Sequence, residues 1–248
     1  YQNTATKFND IHNYPGWRVF ENWISAFQGV GLDVQEKKAR NLPMKGPGNN
    51  VVSGLPVFLS EIGYGSIPDF QKTNKIFKEL GNPLTATYRD HMELENAYNK
   101  ALIESGFNEQ YKTVSELAAL QHNFHGRLNR RMLEGARINP LLSGYCVHAL
   151  CGGDWVLGAG LIDIWRNPKG AVYTETAKAN QERILVMRAN PRNLYSGEQI
   201  HLETFIVNEL DNFSGYLIIS LESDDGTKFW TKNENIKVNH GINISDKI

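Results

Sequence analysis

Short apolar runs mark the predicted strands in the first part of the chain. The clearest is Val57–Leu59, which follows Pro56 and combines β-branched and aromatic side chains. That composition is typical of a strand buried on both faces, as in parallel sheets. Leu142–Leu150 has the same character, and a shorter strand is predicted to end near Ile11. These runs predict a parallel sheet.

Apolar residues at helical spacing predict helices between these strands. Over Thr113–Ile138 they form one stripe, with Thr113 or Ser115 as the N-cap and Pro140 beyond the end. Six residues of this stripe are predicted to be core: Leu117, Leu120, Phe124, Leu128, Met132 and Leu133. His122 and His125 on the same helix are predicted to be exposed or capping.

Shorter helices are predicted on either side of the long one. They span Val19–Leu32 and the region around Leu94–Glu104, and Asn167-Pro168 begins a further helix that continues to about Met187. The rest of residues 67–112 is polar and irregular, and an excursion of that length at the end of a strand is often functional.

The order of strands and helices predicts two domains. Residues 1–190 read as the late strands and helices of a (β/α)8 barrel, an α/β fold. After Asn190 polar and apolar residues alternate, which predicts a β-sandwich over residues 191–248. Three strand–helix units do not close a barrel, so we expect both domains to be incomplete and the remainder of the same polypeptide to supply the upstream strands.

Charge and cysteine content exclude several classes of function. The 26 Lys and Arg residues balance the 27 Asp and Glu residues, so no nucleic-acid or membrane partner is expected. Cys146 and Cys151 show neither a disulfide framework nor the spacing of metal ligands, and the histidines form no metal signature. We therefore expect no metal and no other cofactor.

Glu61 is the first candidate for chemistry. It stands at the carboxyl end of the Val57–Leu59 run, and Gly63 and Gly65 turn the chain directly after it. In strand–helix barrels, catalytic groups lie at the carboxyl ends of strands. The alternative is a Glu that simply begins a solvated loop.

Three segments resemble the glycoside hydrolase family 2 enzymes, which include β-galactosidases, β-glucuronidases and β-mannosidases. Leu55–Ser66 resembles their nucleophile strand, which ends in a Ser/Thr-Glu-Tyr/Ile-Gly motif. His12–Trp17 resembles the segment after their sixth strand, and Gly160–Lys169 resembles the stretch after the eighth. An immunoglobulin-like β-sandwich also follows the barrel in this family.

The resemblance implies roles for particular residues. Glu61 would be the nucleophile of a retaining glycosidase, and Tyr14 would match the tyrosine that hydrogen-bonds it. His12, Trp17 and Trp155 would line the sugar site. For Tyr14 the alternative is a packed aromatic residue in a turn, and for Trp155 it is loop packing.

Two departures from the family pattern affect the expected activity. The family's acid/base is a Glu in an Asn-Glu pair, and Asn108-Glu109 and Asn208-Glu209 stand in the wrong places for it. We therefore expect that role to come from upstream sequence, and this chain alone to be inactive. Leu157-Gly158-Ala159 replaces the Asn-x-Lys of β-glucuronidases, which favours a neutral, galactoside-like substrate.

Two other functions remain open from the sequence. The chain could be a non-catalytic carbohydrate-binding or scaffold protein that keeps the barrel wall, or an interaction module built around the sandwich. For an exported polysaccharide-degrading enzyme we expect a periplasmic or extracellular location.

Overall fold

The fold is a mixed α/β arrangement with separate parallel and antiparallel sheets. The computed structural model describes residues 7–14, 23–47, 51–152, 158–191 and 193–245. No helix in these ranges is long and apolar enough to cross a membrane.

The predicted parallel sheet is present and has three strands. They are β1 (Asn9–Asn13), β2 (Val57–Ile62) and β3 (Leu142–Val147), in the spatial order β1-β2-β3. Their parallel pairing places the three carboxyl ends at one edge of the sheet.

Helices pack against this sheet, and a buried apolar core lies between the sheet and the helices. The covering helices are α1 (Trp23–Gln28) and α5 (Val114–Arg137), whereas the short helix α2 (Val34–Ala39) buries none of its residues. The long helix predicted from the apolar stripe is thus confirmed, with Thr113 as its N-cap. One buried cluster joins sheet and helices: Ile11, Phe27, Val30, Val57, Leu59, Ile62, Met132 and Ala136.

Part of the predicted core stripe of α5 is wrong. Leu128, Met132 and Leu133 are buried, but Leu120 is 47% exposed and Phe124 is 51% exposed. The helix instead turns a polar face inward in its middle section, because polar side chains there bond the loop that follows β2. His125, predicted to be exposed or capping, belongs to this buried face.

The excursion after β2 is more regular than its polar composition predicts. It forms α3 (Phe70–Glu79), α4 (Ala86–Glu104) and a short 3-10 helix at Phe107–Glu109. Phe70, Leu102 and Val114 form a small core of its own between these helices and α5.

The predicted helix from Asn167 to Met187 is wrong in its extent. The helix here is α6 (Ala171–Ala179), which begins after Gly170, and the chain then enters strand β4 (Arg183–Asn190). The Asp163 carboxylate binds the Asn167 amide at 2.8 Å, so Asn167 belongs to a turn rather than a helix N-cap. In β4 buried Ile184 and Val186 alternate with exposed residues, which is the period of a strand.

The carboxyl-terminal part is antiparallel, as the alternation predicts. It contains β5 (His201–Asn208), β6 (Phe213–Glu222), β7 (Lys228–Val238) and β8 (Gly241–Ile244). One sheet has the order β4-β5-β8, and β6 pairs with β7 in a second. The domain division at residue 190 stays a prediction, and the pairing of β4 with β5 puts residues 183–190 in the antiparallel sheet.

Candidate functional site

The strand pairing brings Glu61 beside β1. His12 is the register partner of Glu61 in the parallel pair β1–β2, and both lie near the carboxyl ends of their strands. The Nδ1 atom of His12 lies 3.8 Å from Oε2 of Glu61. The side chain of Glu61 is 40% exposed, so its carboxylate faces solvent at this edge of the sheet.

Tyr14 lies directly beyond β1 and contacts the same carboxylate. Its phenol donates a hydrogen bond to Oε2 of Glu61. Tyr14 and Glu61 are 47 positions apart in the chain, and the β1–β2 pairing brings them together. Two of the candidate site residues, Tyr14 and His12, therefore lie at Glu61.

The phenol of Tyr14 is held in its protonated form. Its pKa is raised to about 12, first by partial burial and then by the hydrogen bond to Glu61 and the negative charge of that carboxylate. An ionised phenol here would place two negative charges together. Tyr14 therefore remains a hydrogen-bond donor to the carboxylate throughout the ordinary range of pH.

A second interaction ties β1 to β2 just before Glu61. The hydroxyl of Ser60 donates to the carboxylate of Asp10 and also lies 3.4 Å from the carbonyl oxygen of Ile11. The register of β1 and β2 shifts between Asp10 and His12, and Ser60 and Glu61 contact these two residues, which lie on the same face of β1. The backbone that carries Glu61 is thus fixed against its neighbour.

His148 supports the site from β3, a role that the sequence analysis did not assign. Its ring packs edge-on against Tyr14, with the ring centroids 5.7 Å apart. Its amide donates to the carbonyl of Ile62 at 2.9 Å. Gly63 lies so close that an added Cβ would be 2.6 Å from the His148 carbonyl oxygen, so only glycine fits there. The position of His148 directly after the third strand is the sequence feature that could have identified this residue.

Two candidate residues are not placed. Trp17 and Trp155 lie outside the described residues, and their predicted contact with a sugar remains a prediction. Nearby, the amide of Ser66 donates to the carbonyl of Gly158 at 2.9 Å. The loop after β2 is therefore bonded to the segment that follows residues 153–157.

Lys169 also binds the segment that follows residues 153–157. It is buried, and its ammonium donates to the carbonyls of Gly158 and Ala159 at 3.3 and 3.4 Å. Burial lowers the pKa of Lys169 to about 8. A cavity of about 120 Å³ lies beside it, lined in part by Asp69, Lys72 and Asp163.

His122 and His125 are not exposed, contrary to the sequence prediction. His125 is 1% exposed and lies 2.9 Å from the Ser66 hydroxyl, and His122 contacts the carbonyl of Ile67. Burial lowers the pKa of His125 to about 3, with the positive charge of Lys169 acting in the same direction. Burial also lowers the pKa of His122. His125 is therefore neutral.

The two Asn-Glu dipeptides, Asn108-Glu109 and Asn208-Glu209, lie in other parts of the fold than Glu61. Glu209 pairs with the buried Arg137 at 2.6 Å, and the Asn208 amide bonds the carbonyls of a following turn. Glu109 lies in the 3-10 helix of the excursion. Cys146 and Cys151 are free thiols. Within the described ranges, no three His, Cys, Asp or Glu side chains are arranged to hold a metal ion.

Comparison with known proteins identifies a likeness in fold. No family model matches the chain, and no curated protein matches it. Among solved structures, the chain resembles a β-D-mannosidase from Dictyoglomus thermophilum with a TM-score of 0.51 and 18% sequence identity. The likeness covers 96% of this chain but only 26% of the mannosidase chain, so this chain spans about a quarter of that protein's length.

Proposed function

We propose that this chain is part of a retaining glycoside hydrolase that acts on a β-linked, neutral sugar, with Glu61 as the nucleophile. The observation that carries the proposal is the hydrogen bond from Tyr14 to the Glu61 carboxylate at the carboxyl end of a parallel strand. The glycosidase-like fold supports it.

The chemistry requires one ionised and one protonated carboxyl group. Glu61 attacks the anomeric carbon, and the bond from that carbon to the leaving oxygen breaks as the acid protonates the oxygen. Water then attacks the glycosyl ester, gives its proton to the same acid/base group and releases Glu61. In retaining enzymes the two carboxyl groups stand about 5–5.5 Å apart, and we propose that upstream sequence supplies the second one.

The contacts of Glu61 suggest different roles for its two carboxylate oxygens. The contacts from Tyr14 and His12 both fall on Oε2. We therefore assign the attack to Oε1, while the phenol on Oε2 orients the carboxylate. His12, with Trp17 and Trp155, is proposed to line the sugar site.

The barrel and sandwich assignment belongs to the same proposal. Three adjacent parallel strands with covering helices support a portion of a (β/α)8 barrel in the first part of the chain. The two antiparallel sheets after α6 support an immunoglobulin-like sandwich, which would begin with β4 at Arg183 rather than after residue 190.

Galactosides and mannosides are both neutral sugars, and they differ in the configuration of the C2 and C4 hydroxyls. Leu157-Gly158-Ala159 offers no cation for a sugar carboxylate, which favours either over a glucuronide. The sequence favours a galactoside-like substrate, and the solved relative is a β-D-mannosidase. A substrate series must therefore include both.

The test uses the complete polypeptide and three p-nitrophenyl β-glycosides: galactoside, mannoside and glucuronide. We expect turnover of a neutral glycoside, retention of the β-configuration in the first product seen by proton NMR, and a loss of at least about 10³-fold in Glu61→Gln. Glu104→Gln is the matched control, because that carboxylate is exposed and pairs with Lys100 across one helical turn. Inverted product, or full turnover by Glu61→Gln, would overturn the proposal. Binding of glycosides without turnover would favour a carbohydrate-binding protein instead.

A further inference from the structure

Four polar side chains on one face of α5 hydrogen-bond the loop that directly follows the Glu61 strand. The loop is Tyr64–Ile67, and it begins three residues after Glu61. The four side chains, hereafter the α5 polar face, are Gln121, His122, His125 and Asn129. Their spacing puts them on the side of the helix that faces the sheet.

Two members of the α5 polar face bind backbone amides of the loop. Oδ1 of Asn129 accepts from the amide of Tyr64 at 3.0 Å, and Oε1 of Gln121 accepts from the amide of Ile67 at 3.0 Å. These two bonds fix both ends of the loop.

The two histidines of the α5 polar face bind Ser66 and Ile67 of the loop. Nδ1 of His125 lies 2.9 Å from the Ser66 hydroxyl, and Nε2 of His122 donates to the carbonyl of Ile67 at 2.9 Å. Every residue of the loop except Gly65 therefore has a hydrogen bond to α5.

Two members of the α5 polar face are fully buried, and Asn129 also donates from Nδ2 to the hydroxyl of Thr176 in α6 at 3.3 Å. His125 and Asn129 are 1% and 2% exposed, respectively. Burying polar groups is unfavourable unless they find partners, and leucine at these positions would extend the apolar core of the helix. The hydrogen bonds to the loop therefore explain why polar side chains occupy this part of the helix.

The loop connects to the nucleophile by direct contacts. Gly63, the residue before the loop, packs against the His148 carbonyl without room for a Cβ. His148 packs in turn on the ring of Tyr14, whose phenol binds Glu61. A shift of the loop would move Gly63, and with it both the end of β2 and the support of Tyr14.

We propose that Gln121 and Asn129 are positioning residues for Glu61, which hold the loop after β2 so that the carboxylate keeps its attacking orientation. This inference rests on the proposed function. Gln121 and Asn129 would thus affect the covalent step through their hydrogen bonds to the loop, without contacting the sugar.

A positioning role predicts a particular kinetic pattern. Misplacing a nucleophile by about 1 Å can lower the rate of the bond-forming step about 10²-fold. Binding of the sugar depends on other groups, so it should change little. The rate constant for glycosylation should therefore fall while the dissociation constant of the trapping reagent stays near that of the wild type.

The experiment measures trapping of the complete polypeptide by 2-deoxy-2-fluoroglycosyl fluorides with the galacto and manno configurations. Gln121→Met removes the acceptor at nearly constant volume, whereas Gln121→Glu keeps an acceptor oxygen at this half-buried position. Asn129→Leu removes the second acceptor. Asn123→Leu, on the exposed side of the same helix, is the control.

We expect the limiting trapping rate to fall about 10-fold or more in Gln121→Met and Asn129→Leu, within the range of such misplacements, with the dissociation constant changed less than about 3-fold. Gln121→Glu and Asn123→Leu should trap at the wild-type rate. Because Asn129→Leu could fail to fold, Gln121→Met alone decides the matter if its melting temperature is unchanged.

Two other outcomes overturn the inference and are distinguishable. Trapping of Glu61 at the wild-type rate in Gln121→Met removes the positioning role and leaves the proposed function intact. A parallel loss of rate, affinity and melting temperature, unrelieved in Gln121→Glu, shows general structural damage and also removes it. Absence of any label on wild-type Glu61 overturns the proposed function itself.

Discussion

Tyr14 donates its phenol to one oxygen of Glu61, and this contact determines what the carboxylate can do. The hydrogen bond on Oε2 orients the carboxylate, as the proposed role of Glu61 as a nucleophile requires. The pKa of Tyr14, raised to about 12 mainly by burial, keeps that donor protonated.

Replacing the phenol tests its contribution directly. Tyr14→Phe should lower kcat/KM about 10- to 100-fold, because a hydrogen bond to a charged group contributes about 1.5–3 kcal/mol. Tyr216→Phe, at an exposed tyrosine of β6, should have no effect. Unchanged kcat/KM in Tyr14→Phe would show that the phenol is only a packed aromatic ring.

The raised pKa of Tyr14 predicts a direction for its titration. The phenol should ionise with a midpoint near 12, above the ordinary value of 10.0, when followed by NMR of ring-labelled tyrosine. The associated stability is present below about pH 10 and is lost as the pH rises through the folded value. In Glu61→Gln the midpoint should fall but remain raised, because burial is the first cause and persists. An ordinary midpoint in the wild type would contradict the described contact.

Residue roles differed in how far the sequence could predict them. Glu61 and Tyr14 stand in short motifs, so their proximity was expected before the strands were paired. The buried His125 was misassigned because a polar residue on a helix is usually exposed, and only the fold shows which loop requires it. His148 stands in no motif, and its role depends on the packing of Gly63 and Tyr14.

At the scale of elements, two glycines of α5 set how closely its neighbours approach. A Cβ on Gly126 would overlap the carbonyl of Ala171 in α6, and one on Gly135 would lie 2.5 Å from the carbonyl of Ile24 in α1. Glycine is unfavourable inside a helix, so its presence twice in α5 is explained by these close backbone contacts.

Gly126→Ala therefore tests the packing of α5 against α6. Alanine should gain about 1 kcal/mol in helix propensity, yet we expect a net loss of about 1–3 kcal/mol in the free energy of unfolding because the helices must separate. The exposed Asn123→Ala in the same helix should be neutral or slightly stabilising. Urea denaturation measures both, and a stabilised Gly126→Ala would show that the helices have room to move.

The elements themselves were predicted where their periodicity was unambiguous. The 3.6-residue pattern of α5 and the alternation in β5 to β7 gave the correct types. Residues 183–187 were assigned to the helix predicted from Asn167 to about Met187, because Val, Leu, Ile and Met suit either structure in a short run. Pairing with β5, which the sequence does not show, makes them a strand.

At the scale of the whole molecule, Arg188 joins the antiparallel sheet to the helical part. It is buried on β4, pairs with Glu203 on β5, and donates to Gln28 at 3.2 Å and to the carbonyl of Arg40 at 2.9 Å. An apolar cluster lies at the same junction: Ile138, Ile184, Val186, Phe205 and Val207. The two parts are thus held by both kinds of contact.

Arg188→Met should destabilise this junction strongly. It leaves the Glu203 carboxylate buried, and breaking a buried ion pair costs about 3–5 kcal/mol. The double variant Arg188→Met with Glu203→Leu should recover part of that loss, since no charge remains buried. Hydrogen exchange of β5 and α2 amides measures both variants, and equal protection in Arg188→Met and the wild type would rule out a role in the junction.

Covalent labelling of the complete polypeptide reveals whether Glu61 forms a bond to a sugar. The complete polypeptide is incubated with 2-deoxy-2-fluoroglycosyl fluorides of galacto and manno configuration, digested, and analysed by peptide mass spectrometry. We expect a single fluoroglycosyl adduct on Glu61, within the peptide that contains Leu55–Ser66. An adduct on another carboxylate, with Glu61 unmodified, would contradict it.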